Sequence, residues 1–189
     1  MTHPTLSLPR RPGLSAAALV LALSAAAPLS GQAVELPGPR ADAYVLVGDV
    51  HVEAVHAGNI QVRARFTGAH RRQVELGARP GKVSVHYPTD RVVQPGLPAE
   101  VRVAVGPDGS FDPAGPRTLT LAGSGAGTQA RAEMRISLPA GKSVTVHLVS
   151  GSVHAGQASR TAAGSRVETV VVENVNGTLR ITQPGRAAD

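Results

Sequence analysis

Polar and aliphatic residues alternate along most of this chain, in short runs separated by glycine and proline. One five-residue phrase recurs: glycine, a polar residue, an aliphatic residue, a polar residue, then an aliphatic or small one. Its copies start at Gly48, Gly58, Gly81, Gly151 and Gly177. Alternation with a period of two predicts a strand with one buried face, and the leading glycine predicts a turn. The chain is therefore predicted to be all-β, with roughly ten short strands.

The alternation also assigns side chains to faces. The predicted inward positions are Val50, Val52, Ile60, Val62, Val83, Val85, Val144, Val146, Leu148, Val153, Leu179 and Ile181. Among the outward positions, the candidate partner-binding residues are His51, Gln61, Arg63, Arg65, His147 and His154. Repeated short strands suit stacked rungs about 4.8 Å apart. Because the glycine intervals are irregular, we predict a short, degenerate β-solenoid (a single-sheet or flattened β-helix), with a β-sandwich as the alternative.

The first 33 residues have the parts of a secretory signal peptide. Arg10 and Arg11 precede an alanine-rich apolar run at residues 14–27, and small residues follow up to Ala33. This run is shorter than the roughly 20 apolar residues that span a bilayer, so a cleaved leader fits better than a membrane anchor. We predict cleavage after Ala33, with Ala27 as the second choice. The protein is then exported (periplasmic, cell-surface or secreted) and not transmembrane after cleavage.

The rest of the chain divides into a main domain and its flanking segments. Residues 34–43 are predicted to form an extended N-terminal segment, and residues 44–182 the β-solenoid domain. Within the domain, residues 106–130 are rich in glycine and proline, which predicts a surface excursion around one short strand. Residues 183–189 are polar and are predicted to be a frayed tail.

Composition excludes several classes of function. The chain contains no cysteine, which excludes disulfides, zinc–cysteine sites and covalently attached haem. The net charge is +6 and its basic residues are scattered, with two tyrosines, two phenylalanines and no tryptophan in the whole chain. Sheet proteins that bind nucleic acids stack the bases on exposed aromatic side chains. Nucleic acid is therefore not expected as a partner.

Histidines and acids carry the remaining candidate chemistry. Two outward histidines on adjacent rungs could bind one metal ion. Stacking the Gly48 unit on the Gly58 unit, however, would place His51 over Gln61, which is a poor ligand, so we predict no metal site. Residues 125–130 have the spacing of a dinucleotide-binding loop, but the following residues alternate like a strand instead of opening a helix, so no cofactor is expected. The thirteen acids are spread along the chain, which leaves a weak case for a β-helical carbohydrate-active enzyme.

The order of three segments resembles a known family. Residues 81–88 read Gly-Lys-Val-Ser-Val-His-Tyr-Pro, residues 135–153 read Arg-Ile-Ser-Leu-Pro-Ala-Gly-Lys-Ser-Val-Thr-Val-His-Leu-Val-Ser-Gly-Ser-Val, and residues 173–181 read Glu-Asn-Val-Asn-Gly-Thr-Leu-Arg-Ile. This order is similar to that of the bacterial adhesin-like domains of unknown function, which are β-solenoids of the toast-rack type. The resemblance covers residues 44–181. The family carries no agreed catalytic residues, so the resemblance assigns none to this chain.

We therefore expect a non-catalytic exported envelope protein, an adhesin-like scaffold that binds a protein, glycan or wall partner. One alternative is an envelope sensing or assembly module that pairs through an open strand edge near residues 179–181. The other is the carbohydrate-active enzyme. Outward arginines and polar residues gathered on one face would favour the scaffold. A long open strand edge would favour the assembly module, and carboxylates gathered in a cleft would favour the enzyme.

Overall fold

The computed structural model describes residues 31–183 of the chain. This part is all-β, as the alternation predicts, with twelve strands, a 3₁₀ turn at Arg71–Gln73 and no α-helix. The strands are β1 Gly31–Leu36, β2 Arg40–Val55, β3 Ile60–Thr67, β4 Glu75–Arg79, β5 Lys82–His86, β6 Arg91–Val93, β7 Val101–Val105, β8 Arg117–Ala122, β9 Arg131–Pro139, β10 Ser143–Ala155, β11 Ala158–Val175 and β12 Thr178–Thr182. The predictions for residues 1–30 and 184–189 lie outside the described residues.

Three strands are much longer than the sequence predicts: β2, β10 and β11 have 16, 13 and 18 residues. The predicted turns at Gly48 and Gly151 are wrong, since both glycines lie inside strands, in β2 and β10. Near each of these glycines the buried positions move by one residue, from odd to even numbers in β2 and from even to odd numbers in β10. The alternation of buried and exposed side chains therefore restarts within the strand, without a turn. A glycine before an alternating run marks either a turn or such an irregularity within a strand. The other three glycines of the repeated phrase do lie in turns or loops before strands, at Gly58, Gly81 and Gly177.

The strands form two open, mixed sheets. The larger has nine strands in the order β1-β3-β9-β2-β10-β11-β12, with β5 pairing with β2 and β4 pairing with β5. In this sheet β2 is parallel to β5, β9 and β10, and the other pairs are antiparallel. The smaller sheet has the order β6-β8-β7. The consecutive strands β2 and β3 are separated by β9, so His51 does not lie over Gln61.

One hydrophobic core lies beneath both sheets. Ten of the twelve predicted inward residues are buried, while Leu179 and Ile181 on β12 are partly buried against the same core. The alternation therefore identifies the buried face of most strands. Burying one such side chain contributes roughly 1.5–3 kcal/mol.

The stretch at residues 106–130 contributes to this core. The short strand expected there is β8, and its Leu119 and Leu121 are 4% and 0% exposed. They pack with Val103 and Val105 of β7 in the common hydrophobic cluster. The interpretation of this stretch as a surface excursion is thus too simple, because one strand of it is part of the core.

Candidate binding surface

The pairing of β2 with β10 brings two copies of the repeated phrase side by side. The strands run parallel, with Gly48 opposite Gly151 and His51 opposite His154. The two imidazole rings are stacked, with centroids 4.8 Å apart and planes inclined by 15°. Two candidate residues that are 103 positions apart in the sequence are therefore direct neighbours.

The two histidines belong to a row that crosses four strands. Register pairs join Arg63 on β3 to Arg135 on β9, Arg135 to His51 on β2, and His51 to His154 on β10. We call these four residues the arginine–histidine row. With strands about 4.8 Å apart, the row extends about 14 Å. Arg63, Arg135 and His51 are exposed and His154 is partly exposed, so the row is open to a partner.

Two further rows of residues lie on either side of the arginine–histidine row, and they contain acidic residues. On one side, Arg65 lies opposite Glu133, Glu133 opposite Asp49, and Asp49 opposite Ser152. On the other side, Gln61 lies opposite Ser137, whose hydroxyl donates a hydrogen bond to Glu53 at 3.1 Å. These three rows, together with Glu35 opposite Gln61 and Arg131 on β9, form one surface, which we call the outer face. Five of the six predicted residues lie on it: His51, Gln61, Arg63, Arg65 and His154.

Asp49 is held by an ion pair within the outer face. The Arg131 guanidinium donates to its carboxylate through Nε and Nη2, with the closest N–O distances at 3.1 and 2.7 Å, and the Ser152 hydroxyl donates to Oδ1. Partial burial alone would raise the pKa of Asp49, but the hydrogen bonds from Arg131 and Ser152 and the Arg131 charge outweigh it and lower this pKa below its usual 3.8. The pair thus fixes one negative charge and neutralises it.

Ser152 lies between Asp49 and His154, but this geometry does not prepare it for nucleophilic attack. Its hydroxyl donates to Asp49, so His154 Nε2, at 2.8 Å, is left to donate to the serine oxygen. A nucleophilic serine needs the opposite arrangement, with its proton directed to the imidazole. The cluster is therefore suited to holding side chains in place.

His147, the sixth predicted residue, does not join the others. It lies on β10 before Gly151, seven residues from His154, which is about 23 Å along a strand that rises about 3.3 Å per residue. Its ring stacks on Tyr44 with centroids 4.5 Å apart, and its Nε2 is 3.4 Å from an oxygen of Asp42. Burial lowers the pKa of His147, partly opposed by the hydrogen bond and charge of Asp42. These contacts give His147 a packing role in a separate cluster.

A cavity adjoins the outer face where β3 ends. Its volume is about 700 Å³, and it is bordered by Gly31 and Gln32 of β1, by the end of β3 and by the following turn. Three arginines line it, Arg65, Arg71 and Arg72, next to Phe66 and Val74, which are buried in the core. We call it the arginine groove. The sequence shows Arg71 and Arg72 as an adjacent pair, but it does not indicate that the chain folds them toward Arg65.

Two more arginines of the outer face were not among the predicted site residues. Arg131 and Arg135 occupy the outward phase of β9, between the buried residues Ala132, Met134 and Ile136. The alternation of this strand is visible in the sequence and could have identified both. Their neighbours across the sheet could not be found that way, since Asp49 and Arg131 are 82 residues apart.

Within residues 31–183 there is no group of three or more histidine and acidic side chains placed to hold a metal ion. No helix in the same part of the chain is long and apolar enough to cross a membrane. No family model, no curated protein and no solved structure matches this chain. The fold and the surface define only a broad class, an all-β protein that presents an exposed row of arginine and histidine side chains.

Proposed function

We propose that this protein is a non-catalytic exported envelope protein, an adhesin-like scaffold whose outer face binds a protein, glycan or wall partner. The observation that carries the proposal is the row of Arg63, Arg135, His51 and His154 across four strands. Rigid sheets lose little entropy when a partner docks on them. Each arginine also offers five hydrogen-bond donors, and each neutral histidine one donor and one acceptor.

The surrounding geometry supports recognition more than turnover. The charge of Asp49 is neutralised by Arg131, and the Ser152 hydroxyl donates a hydrogen bond to Asp49. Glu53 accepts a hydrogen bond from Ser137 on the exposed face. Carboxylates that act together on a glycoside flank a cleft at a defined separation, whereas these lie on an open sheet. The adhesin-like resemblance is in keeping with this proposal.

For the architecture, we propose a flattened β-solenoid, with the β-sandwich as the alternative. The in-register parallel stacking of the Gly48 and Gly151 units supports the solenoid. The antiparallel pairing of β1 with β3, of β3 with β9 and of β10 with β11 favours the sandwich. An experimental structure of the exported protein would decide between them.

The proposal is tested by reversing two charges of the outer face. The variant Arg63→Glu with Arg65→Glu should release the protein from intact envelope. Its matched control is Arg79→Glu with Arg180→Glu, two exposed strand arginines outside the outer face. The free energy of unfolding of either variant should change by less than about 1 kcal/mol, because all four side chains are exposed. Equal retention of both variants, or turnover of a glycan or ester panel by the purified protein, would contradict the proposal.

The assembly-module alternative has one observation in its favour. The strand β12 stands at the end of the order in the large sheet, and its Leu179 and Ile181 are only partly buried. An added strand would extend the sheet there. Hydrogen exchange distinguishes the two functions: a partner that adds a strand slows exchange of the β12 amides, whereas a partner on the outer face leaves them unchanged.

A further inference from the structure

The arginine groove has a rigid wall. After β3, Gly68 has a φ of +99°, and a Cβ there would lie 2.5 Å from the carbonyl oxygen of Gln129. His70 is tied to the same residue twice: its N–H donates to the Gln129 oxygen at 3.0 Å, and its Nδ1 accepts from the Gln129 N–H at 3.0 Å. Val74, just beyond the 3₁₀ turn, is 2% exposed. Arg71 and Arg72 therefore stand on a turn anchored on both sides.

The groove is also where positive charge is left unbalanced. Outside the groove, the outer face carries three arginines and four acids: Arg63, Arg131, Arg135, Glu35, Asp49, Glu53 and Glu133. Among the described residues that line the groove there are three arginines and no acid. Within residues 31–183, no ion pair joins Arg65, Arg71 or Arg72 to a carboxylate. A ligand that neutralises these charges must bring its own negative charge.

We propose that the arginine groove binds a phosphate ester carried on a sugar-sized group, a site separate from the arginine–histidine row. Phosphate suits several guanidinium groups at once, because each can donate two parallel hydrogen bonds to its oxygens. The volume of about 700 Å³ is far larger than a lone phosphate requires. The groove is also bordered by Gly31, Gly68 and the partly exposed Thr67, which leave room beside the arginines for a sugar-sized group.

Calorimetry tests this site on the chain that begins at Pro28, which keeps the border residues Gly31 and Gln32. The probes are glucose 6-phosphate, glucose, inorganic phosphate and glucuronate. Glucose 6-phosphate should bind, and more tightly than the other three, with an affinity that falls as salt is added. The variant Arg71→Glu with Arg72→Glu should lose about tenfold or more in affinity. The control Arg63→Glu with Arg135→Glu, which changes only the arginine–histidine row, should bind as the unmodified protein does.

Each other result overturns a stated part of the proposal. Equal binding of glucuronate rejects phosphate as the recognised group, and equal binding of inorganic phosphate rejects the sugar-sized body. Equal losses in the two variants, or no binding of any phosphate probe, reject the groove as the site. Sedimentation with phosphatidylglycerol vesicles separates the sources of the ester. If the protein binds these vesicles and the binding requires Arg71 and Arg72, the ligand is a lipid headgroup. If the protein binds glucose 6-phosphate but not the vesicles, the ligand is a soluble sugar phosphate. Because these tests use no envelope partner, their failure leaves the proposed function of the outer face unaffected.

Discussion

The carbonyl oxygen of Gly48 lies against the Cα atom of Gly151, so that a Cβ added to Gly151 would be 1.7 Å from that oxygen. The two residues are in-register neighbours on β2 and β10. Both strands shift their inward phase at this point, and β2 exchanges one neighbour for another: β5 pairs before Gly48 and β9 from Gly48 onward. The close approach of the two backbones thus lies where β2 changes its neighbour, and it leaves no room for a side chain at residue 151.

We predict that Gly151→Ala destabilises the protein severely, by more than about 3 kcal/mol, because the new methyl group collides with backbone and the φ of +134° is unfavourable for alanine. Gly58→Ala is the matched control, since its φ is +114° but nothing lies within 4 Å of the added Cβ. It should cost only about 1–2 kcal/mol, from the backbone conformation alone. Chemical denaturation of both variants measures the difference. Similar costs would show that the contact between the strands is not what requires glycine at residue 151.

Adjacent residues of β2 test the assignment of faces. Val50 is 0% exposed, whereas its neighbour His51 is on the outer face. We expect Val50→Asp to prevent folding or to cost several kcal/mol, because it buries a carboxylate without a partner. His51→Asp should change the free energy of unfolding by less than about 1 kcal/mol. Circular dichroism and denaturation provide the readout, and equal effects of the two substitutions would contradict the alternation.

The inward phase of the strands could be predicted because it depends on a local period of two. The strand order could not, because it depends on contacts between distant segments. The sequence places Arg131 and Asp49 82 residues apart, and nothing local indicates that β9 inserts between β2 and β3. The sequence does contain an indication that His51 stacks on His154, because each histidine directly follows a Gly-x-Val segment. In the sequence-based prediction the Gly48 unit stacks on the Gly58 unit, which is its nearest copy along the chain. The Gly151 unit matches it better, and that match indicates the contact between the two histidines.

A pH dependence of stability is expected from His147. Burial lowers its pKa in the folded protein below the 6.5 of an unfolded chain, and the contact with Asp42 opposes this only in part. Below pH 6.5 the unfolded chain therefore takes up a proton that the folded protein does not, so acidification favours unfolding. Well above pH 6.5 the His147 imidazole is neutral in both the folded and the unfolded state, so its titration no longer affects stability.

The variant His147→Gln should lack this destabilisation by acid. Its free energy of unfolding should therefore fall less than that of the unmodified protein as the pH is lowered from neutral. Glutamine keeps a polar side chain next to Asp42 and Tyr44 without a titrating group. Urea denaturation across the weakly acidic range is the measurement, with His51→Gln as the control at an exposed position. Parallel pH profiles for the unmodified protein and the His147→Gln variant would refute a role for His147.

Cleavage after Ala33, which the sequence of residues 1–33 predicts, would divide β1. The residues removed include Gly31, Gln32 and Ala33, which pair with residues 63–65 of β3, and the Gln32 side chain accepts a hydrogen bond from the Leu76 N–H. We expect a chain that begins at Val34 to be less stable than one that begins at Pro28 by about 1–3 kcal/mol, since each lost hydrogen bond contributes roughly 0.5–1.5 kcal/mol.

Hydrogen exchange locates this effect within β3. In the chain that begins at Val34, amides of residues 63–65 should exchange faster, because the backbone of β3 opposite the missing residues becomes an open edge. Amides of residues 60–62 keep their partners at residues 34–36 and serve as the internal control. N-terminal sequencing of the protein recovered from cells then tells which of the two chains forms. If the shorter chain shows unchanged exchange at residues 63–65, the first half of β1 contributes nothing to the sheet, and processing after Ala33 leaves the outer face as it is.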